Sequence, residues 1–226
     1  MSQMAEGERA GVSDEQTAVA RAVIYRFLSR CFSHPDRELI ELIDSARLEE
    51  FLLSWRYLGS AASENVAKAV EWLAGRPSRE DALLELQKEY TRLFITGYPQ
   101  VVAPPYSSVY LGNQRTVWGQ STAEVAKLYE AAGLGISEEF HDIPDHIAAE
   151  LEFASYLIVE QQRQLESDPD NAQKLLDIER KFLIEHLSQW APVFFSRVAE
   201  CSRLPFYSEI ARFAQRFIQA DASHTA

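Results

Sequence analysis

Ile143-Pro144-Asp145-His146-Ile147-Ala148-Ala149-Glu150-Leu151-Glu152-Phe153 is the stretch from which the fold can be read. A proline near the first helical position loses no useful N–H, and an acidic side chain suits the positive end of the helix dipole, so Pro144 or Asp145 can begin a helix. Ile147, Leu151, Ala154 and Ile158 then recur at four, three and four, the spacing of one buried helical face. His146, Glu150, Phe153 and Leu157 form the adjacent stripe, polar at its start and apolar at its end. Asp145, His146 and Glu150 are thus presented together at the opening turn. Three readings compete for them: a helix cap with a satisfied histidine, a metal site, and a surface for a partner's cationic group.

Helical period extends in both directions. Residues 1–12 are polar and acidic and are expected to be disordered; Ser13 with Gln16 makes a capping box, and Ala20, Ile24, Phe27 and Cys31 share one face. Helices are expected over 36–45, 47–58 and 63–74, and from Ser78, with Asp81 three residues on, to Phe94. Ser121 with Glu124 opens another, which stops at Gly133. Beyond the central helix, Asp168-Pro169 starts the next, Pro192 is expected to interrupt helical period after Trp190, and Pro205 opens the last. No alternating strand is present, since Val101-Val102 is short and fenced by prolines. The expectation is an all-α fold of about nine or ten helices. Between them, 95–120 lacks helical period but carries Tyr98, Tyr106, Tyr110 and Trp118. So long an aperiodic stretch is usually functional, and its aromatic content argues that it packs down.

The 34 acidic against 22 basic residues give a formal charge of −12, which repels nucleic acid and anionic membrane and attracts cationic segments. Neither an apolar signal region nor a run approaching membrane-spanning length is present, so the chain is expected to be cytoplasmic, without stable membrane insertion. Cys31 and Cys201 lie in apolar helical patterns and read as two buried thiols. None of the nine glycines precedes a lysine, which excludes a Walker-type loop, and no G-x-S-x-G elbow exists. His141-Asp142 is the dipeptide of the all-α HD phosphohydrolases, and Glu138-x-x-His141 is half of a di-iron pair; neither finds its remaining ligands in the sequence. An HD-like metal phosphohydrolase is the alternative function. No catalytic residue, metal ligand or cofactor is assigned.

Five stretches together resemble the TorD/DmsD family of cytoplasmic chaperones for molybdenum-cofactor redox enzymes. They are Glu89-Tyr90-Thr91-Arg92-Leu93-Phe94, Pro104-Pro105-Tyr106-Ser107-Ser108-Val109-Tyr110, Pro144-Asp145-His146 with Glu150-Leu151-Glu152-Phe153, Phe182-Leu183-Ile184-Glu185-His186-Leu187-x-x-Trp190, and Pro205-Phe206-Tyr207. Their order and spacing match over about residues 15 to 218; the family often has an acidic residue where Ile143 stands. The resemblance implies a chaperone domain over 13–220, with an N-terminal part 13–133, a hinge 134–144 and a C-terminal part 145–220. It implies no catalysis. The implied partners are the twin-arginine signal peptide and the catalytic subunit of a molybdoenzyme oxidoreductase, with the chaperone a monomer or a hinge-swapped dimer. Tyr90, Leu93, Phe94, Pro105, Tyr106, Asp145 and His146 match family leader-binding positions. A leader with a cationic end and an apolar segment needs carboxylates beside an apolar groove. Asp145 and Glu150 can supply the former; Leu93, Phe94, Tyr106 and Tyr110 the latter. An adaptor that binds a mature redox subunit without reading leaders is a further reading.

Overall fold

The computed structural model describes residues 14–44, 60–112, 119–135 and 143–225. The described residues form helices without a named strand. In chain order these are α1 (Asp14–Phe32), α2 (Arg37–Asp44), α3 (Ser60–Ala74), α4 (Arg79–Tyr90), α5 (Ser107–Leu111), α6 (Gln120–Ala131), α7 (Ile147–Gln164), α8 (Pro169–Phe182), α9 (Ser188–Cys201) and α10 (Pro205–Thr225). A π turn, Thr91–Ile95, continues α4, and another, Leu183–Leu187, joins α8 to α9 without a break. The expected segment 1–12, the start at Ser13 and the helix over 47–58 lie outside the described residues.

Local chemistry accounts for the element ends. Ser78 caps α4 by accepting from the Asp81 N–H at 3.1 Å. Gly133, with φ +82°, closes α6: its N–H reaches the Glu130 carbonyl, and the Leu134 N–H reaches that of Tyr129. Asp168 caps α8, with Pro169 at the first position. Three expectations are corrected. Pro192 lies inside α9, and the helix accommodates it with the π turn directly upstream. The start of α6 is Gly119, whose N–H donates to Thr122 Oγ1, so Ser121 is already in the helix. Cys31 is buried, but Cys201, at the end of α9, is exposed.

The core is aromatic and shared. Antiparallel α1 and α7 pack along their length, with the Ser29 hydroxyl on the Ala148 carbonyl and the Ser155 hydroxyl on that of Ala22, both at 2.8 Å. Packing of α10 on α9 and α3 surrounds Phe206, Tyr207, Phe213 and Phe217. Both pairings α1–α7 and α3–α10 link the part before residue 134 to the part after residue 144. Two polar clamps lock the ends. Glu89 accepts from Arg92 twice at 2.7 Å and from the Arg203 N–H at 2.6 Å, while Arg92 also donates to the Cys201 carbonyl and so caps α9. Arg21 donates to Asp221 at 2.5 and 2.9 Å and to Glu179, the Tyr25 hydroxyl donates to Asp221 at 2.7 Å, and Gln161 donates to Glu179 at 2.6 Å.

Removing Asp221 leaves the Arg21 cation and a fully buried tyrosine hydroxyl without their main acceptor. Asp221→Ala is expected to lower unfolding stability by about 3 kcal/mol, measured by denaturant titration. A loss below about 1 kcal/mol would show that the clamp is dispensable.

Candidate functional site

The first turn of α7 is assembled differently from the simple capped helix. His146, not Pro144 or Asp145, is the N-cap, its Nδ1 accepting from the Ala148 N–H at 3.1 Å. Asp145 instead turns to α5. Its Oδ2 accepts from the Ser108 N–H at 2.9 Å and from the Ser107 hydroxyl at 3.4 Å, at the first turn of α5. A β-bridge between Tyr106 and His146 fastens the same junction: Ser107 N–H reaches the Asp145 carbonyl at 3.0 Å, and Ile147 N–H reaches that of Pro105 at 2.8 Å. The Tyr106 ring meets the His146 ring edge-on at 5.3 Å. The α5 turn itself was not legible as a helix, being five residues long inside a proline-rich stretch.

Glu150, fully buried, is spoken for. Its Oε1 pairs with His186 Nε2 at 2.7 Å, and its Oε2 accepts from Trp190 Nε1 at 2.9 Å. Tyr110 lies against Trp190 and Phe194, with ring centroids at 5.4 and 6.2 Å, and the Arg197 guanidinium stands 5.8 Å over the Tyr110 ring. Below the loop, Phe94 packs on Tyr90, Phe32, Phe194 and Tyr207, and the Leu93 carbonyl accepts from the Ala103 N–H at 2.8 Å. The Tyr129 hydroxyl donates to the Pro144 carbonyl at 2.8 Å from α6.

The sequence-derived cluster is therefore brought together, but mostly inside. Tyr90, Leu93, Phe94, Pro105, Asp145, His146 and Glu150 are buried, while Tyr106 and Tyr110 keep partial exposure. Sequence reasoning missed that His186 and Trp190 hold Glu150, because 36 and 40 residues separate them and no local spacing links them. It also gave no site role to Ser108, read only as part of a loop motif, or to Ser121, read as a helix cap. Asp145 Oδ1 and the hydroxyl oxygens of these two serines are buried without a hydrogen-bond partner, and the space beside Gly119 touches both serines. Among the described residues no group of three histidines, cysteines or carboxylates is placed to hold a metal ion. His141, Asp142 and Glu138 lie outside them.

The electrostatics follow from burial. Burial pushes the Glu150 carboxyl up, and the charge and hydrogen bonds of His186 and Trp190 offset only part of this. Burial alone would lower His186, but the Glu150 charge and hydrogen bond, with Asp145 and Glu124 behind them, raise it overall. Tyr129 is raised by burial and then by Glu150 and Asp145.

A family model described as nitrate reductase delta subunit matches residues 44–196. A chaperone protein TorD of Aliivibrio salmonicida is 30% identical over 207 residues, covering 91% of this chain and 94% of the relative. The chain belongs to the TorD family of redox-enzyme maturation chaperones. A TorD chaperone of Vibrio cholerae is 31% identical over 202 residues, covering 89% of this chain and 90% of its own. The crystal structure of a putative redox enzyme maturation protein from Archaeoglobus fulgidus shares the fold, with TM-score 0.53 and 24% identity over 95% of this chain and 99% of that one. TorD membership makes this a maturation chaperone serving a molybdoenzyme, with a catalytic subunit of that class as partner, and not an enzyme. The phosphohydrolase alternative finds no support. No helix of the described residues is long and apolar enough to cross a membrane.

The Glu150–His186 pair gives a pH dependence with a definite sign. Groups whose folded-state pKa is raised lend stability that is complete below the unfolded value and is lost as pH rises through the folded one. Both partners are raised, so stability is expected to fall as pH increases beyond the ordinary histidine value of 6.5. Melting temperature should drop between pH 6 and pH 8.5, scanned in one buffer series. Glu150→Gln should flatten that drop, because it removes the charge that raises His186; an unchanged slope in this variant would refute the assignment.

Proposed function

We propose that this TorD-family chaperone recognises the twin-arginine leader of its client's catalytic subunit in the cytoplasm and keeps that subunit from export until its cofactor is inserted. The observation that carries the reading is Asp145. A buried carboxylate oxygen without a donor is costly, and here two unpaired serine hydroxyls accompany it. An arginine guanidinium arriving from a client satisfies such a site with several planar donors at once.

The approach is past Tyr106 and Tyr110, the two partly exposed members of the cluster. The loop is fastened to α7 at the Tyr106–His146 bridge by two backbone hydrogen bonds, each worth only about 1 kcal/mol net, so an entering peptide can replace them. Tyr90, Leu93, Phe94 and Pro105 then form the apolar floor. Among the polar members, His146 holds the loop junction, and Glu150 acts through Trp190 to hold Tyr110. Covering roughly 400 Å² of leader apolar surface at ~25 cal/mol per Å² supplies ~10 kcal/mol before the cost of ordering the peptide. Apolar burial therefore dominates affinity, while the carboxylate sets orientation and on-rate. The hinge of this reading is the connection 134–144, of which 136–142 lie outside the described residues, and exchange about it between two copies would give a swapped dimer.

Calorimetric titration with leader peptides of molybdoenzyme catalytic subunits tests the reading. Asp145→Asn preserves an acceptor for the Ser108 N–H but removes the charge. It is expected to weaken leader binding about tenfold while the melting temperature moves by only about 2–4 °C. Equal affinity in variant and wild type would reject the role given to Asp145.

A further inference from the structure

We propose that the turn 95–100 is a docking element of its own, a rigid uncharged knob that enters an uncharged recess on the folded catalytic subunit of the client. The inference goes beyond the leader reading and does not depend on it. Residues 93–114 carry no charged side chain, the longest such run in a chain of which charged residues make up 25%. Every residue from 95 to 100 is exposed, and because they are consecutive they form one surface. Ile95 is 54% exposed and Tyr98 is 101% exposed, its ring wholly in water. Among the described residues the Tyr98 side chain makes no hydrogen bond and no ring contact, so it has no part in holding the fold. Charge depletion together with an open tyrosine is the composition of the centre of a protein interface, where tyrosine is among the residues that carry most of the binding.

The turn is held in place. The Thr96 N–H donates to the Thr91 carbonyl at 2.8 Å, and the Ala103 N–H donates to the Leu93 carbonyl at 2.8 Å, so the chain leaves the π turn and comes back to it. Between those points the backbone doubles back so closely at Gly97 that a Cβ there would collide with the Gln100 carbonyl and stand 2.9 Å from the Val101 Cα. Phe94 and Ala103 are buried at its base. A turn fixed in this way loses little freedom on binding. Shape and charge then choose the occupant. An extended peptide needs a groove, whereas residues 95–100 enclose nothing, and a projecting ring fits a recess in a surface that is already folded. The cationic end of a leader finds no carboxylate on this turn, and a neutral recess meets no repulsion from it. A second copy in an isologous pair would set one knob against an identical one, convex on convex. The catalytic subunit is the partner that TorD membership supplies, and its folded body is the part of it that matches the knob.

The test uses the full chain and two kinds of probe in calorimetric titrations: leaderless, cofactor-free molybdoenzyme catalytic subunits and, separately, the leader peptides of the same subunits. Tyr98→Ser is expected to weaken binding of the leaderless subunit about tenfold and to leave that of the leader peptide within about twofold, with the melting temperature unmoved; Tyr98→Trp retains subunit binding. The tenfold ratio between wild type and Tyr98→Ser should be the same at about 50 mM and about 500 mM salt, because the contact is uncharged. Failure of every leaderless subunit to bind wild type, unchanged subunit affinity in Tyr98→Ser, a loss shared equally by the leader peptide, a ratio that collapses at high salt, or a wild-type dimer that Tyr98→Ser turns into a monomer would each overturn the knob. If leader peptides do not bind while the Tyr98→Ser loss on the subunit persists, the leader reading falls and the knob stands.

Discussion

One buried carboxylate holds the candidate site in shape. Glu150 cannot be removed from water without partners, and it finds them on two different segments, His186 in the π turn and Trp190 in α9. Trp190 in turn carries Tyr110, Tyr110 carries α5, and the start of α5 is received by Asp145, five residues before Glu150. The contacts close a circuit that begins and ends at the opening of α7. Moving any one member strains the others, which is why a loop with little regular structure can lie in a fixed place.

Polar groups elsewhere are used sparingly and in the same manner. Arg21 draws α1, α8 and α10 together through Glu179 and Asp221, and Glu89 with Arg92 draws the end of α4 to the turn between α9 and α10. In both clamps the carboxylates have matching donors. Asp145 is the exception, one oxygen committed and the other not, and the proposed recognition role rests on that imbalance.

Helical period was sufficient to read α1, α4, α7 and α10, because each buries one broad face and exposes another. The serine cap at Ser78 and the glycine stop at Gly133 were likewise visible, since each depends on residues within one turn. What escaped notice depends on distance along the chain. The partners of Glu150 lie 36 and 40 residues away, so its commitment could not be inferred from the stripe on which it sits. For the same reason the burial of Leu93, Phe94 and Asp145 could not be read from their positions in the sequence. Pro192 misled in the opposite direction: a local rule for breaking helices yields where a wider turn precedes it.

The two π turns lie beneath this arrangement. Each holds one residue more than a regular α ladder would, and each sits where a site segment begins, Leu93 and Phe94 in one and His186 in the other. Losing that surplus residue from Leu183–Leu187 would leave a straighter, more conventional rod while turning all of α9 by about 100° relative to α8. Trp190 would then face away from Glu150, and insertions and deletions in this short segment are phase shifts that a lineage keeping the fold can accept only in compensating pairs.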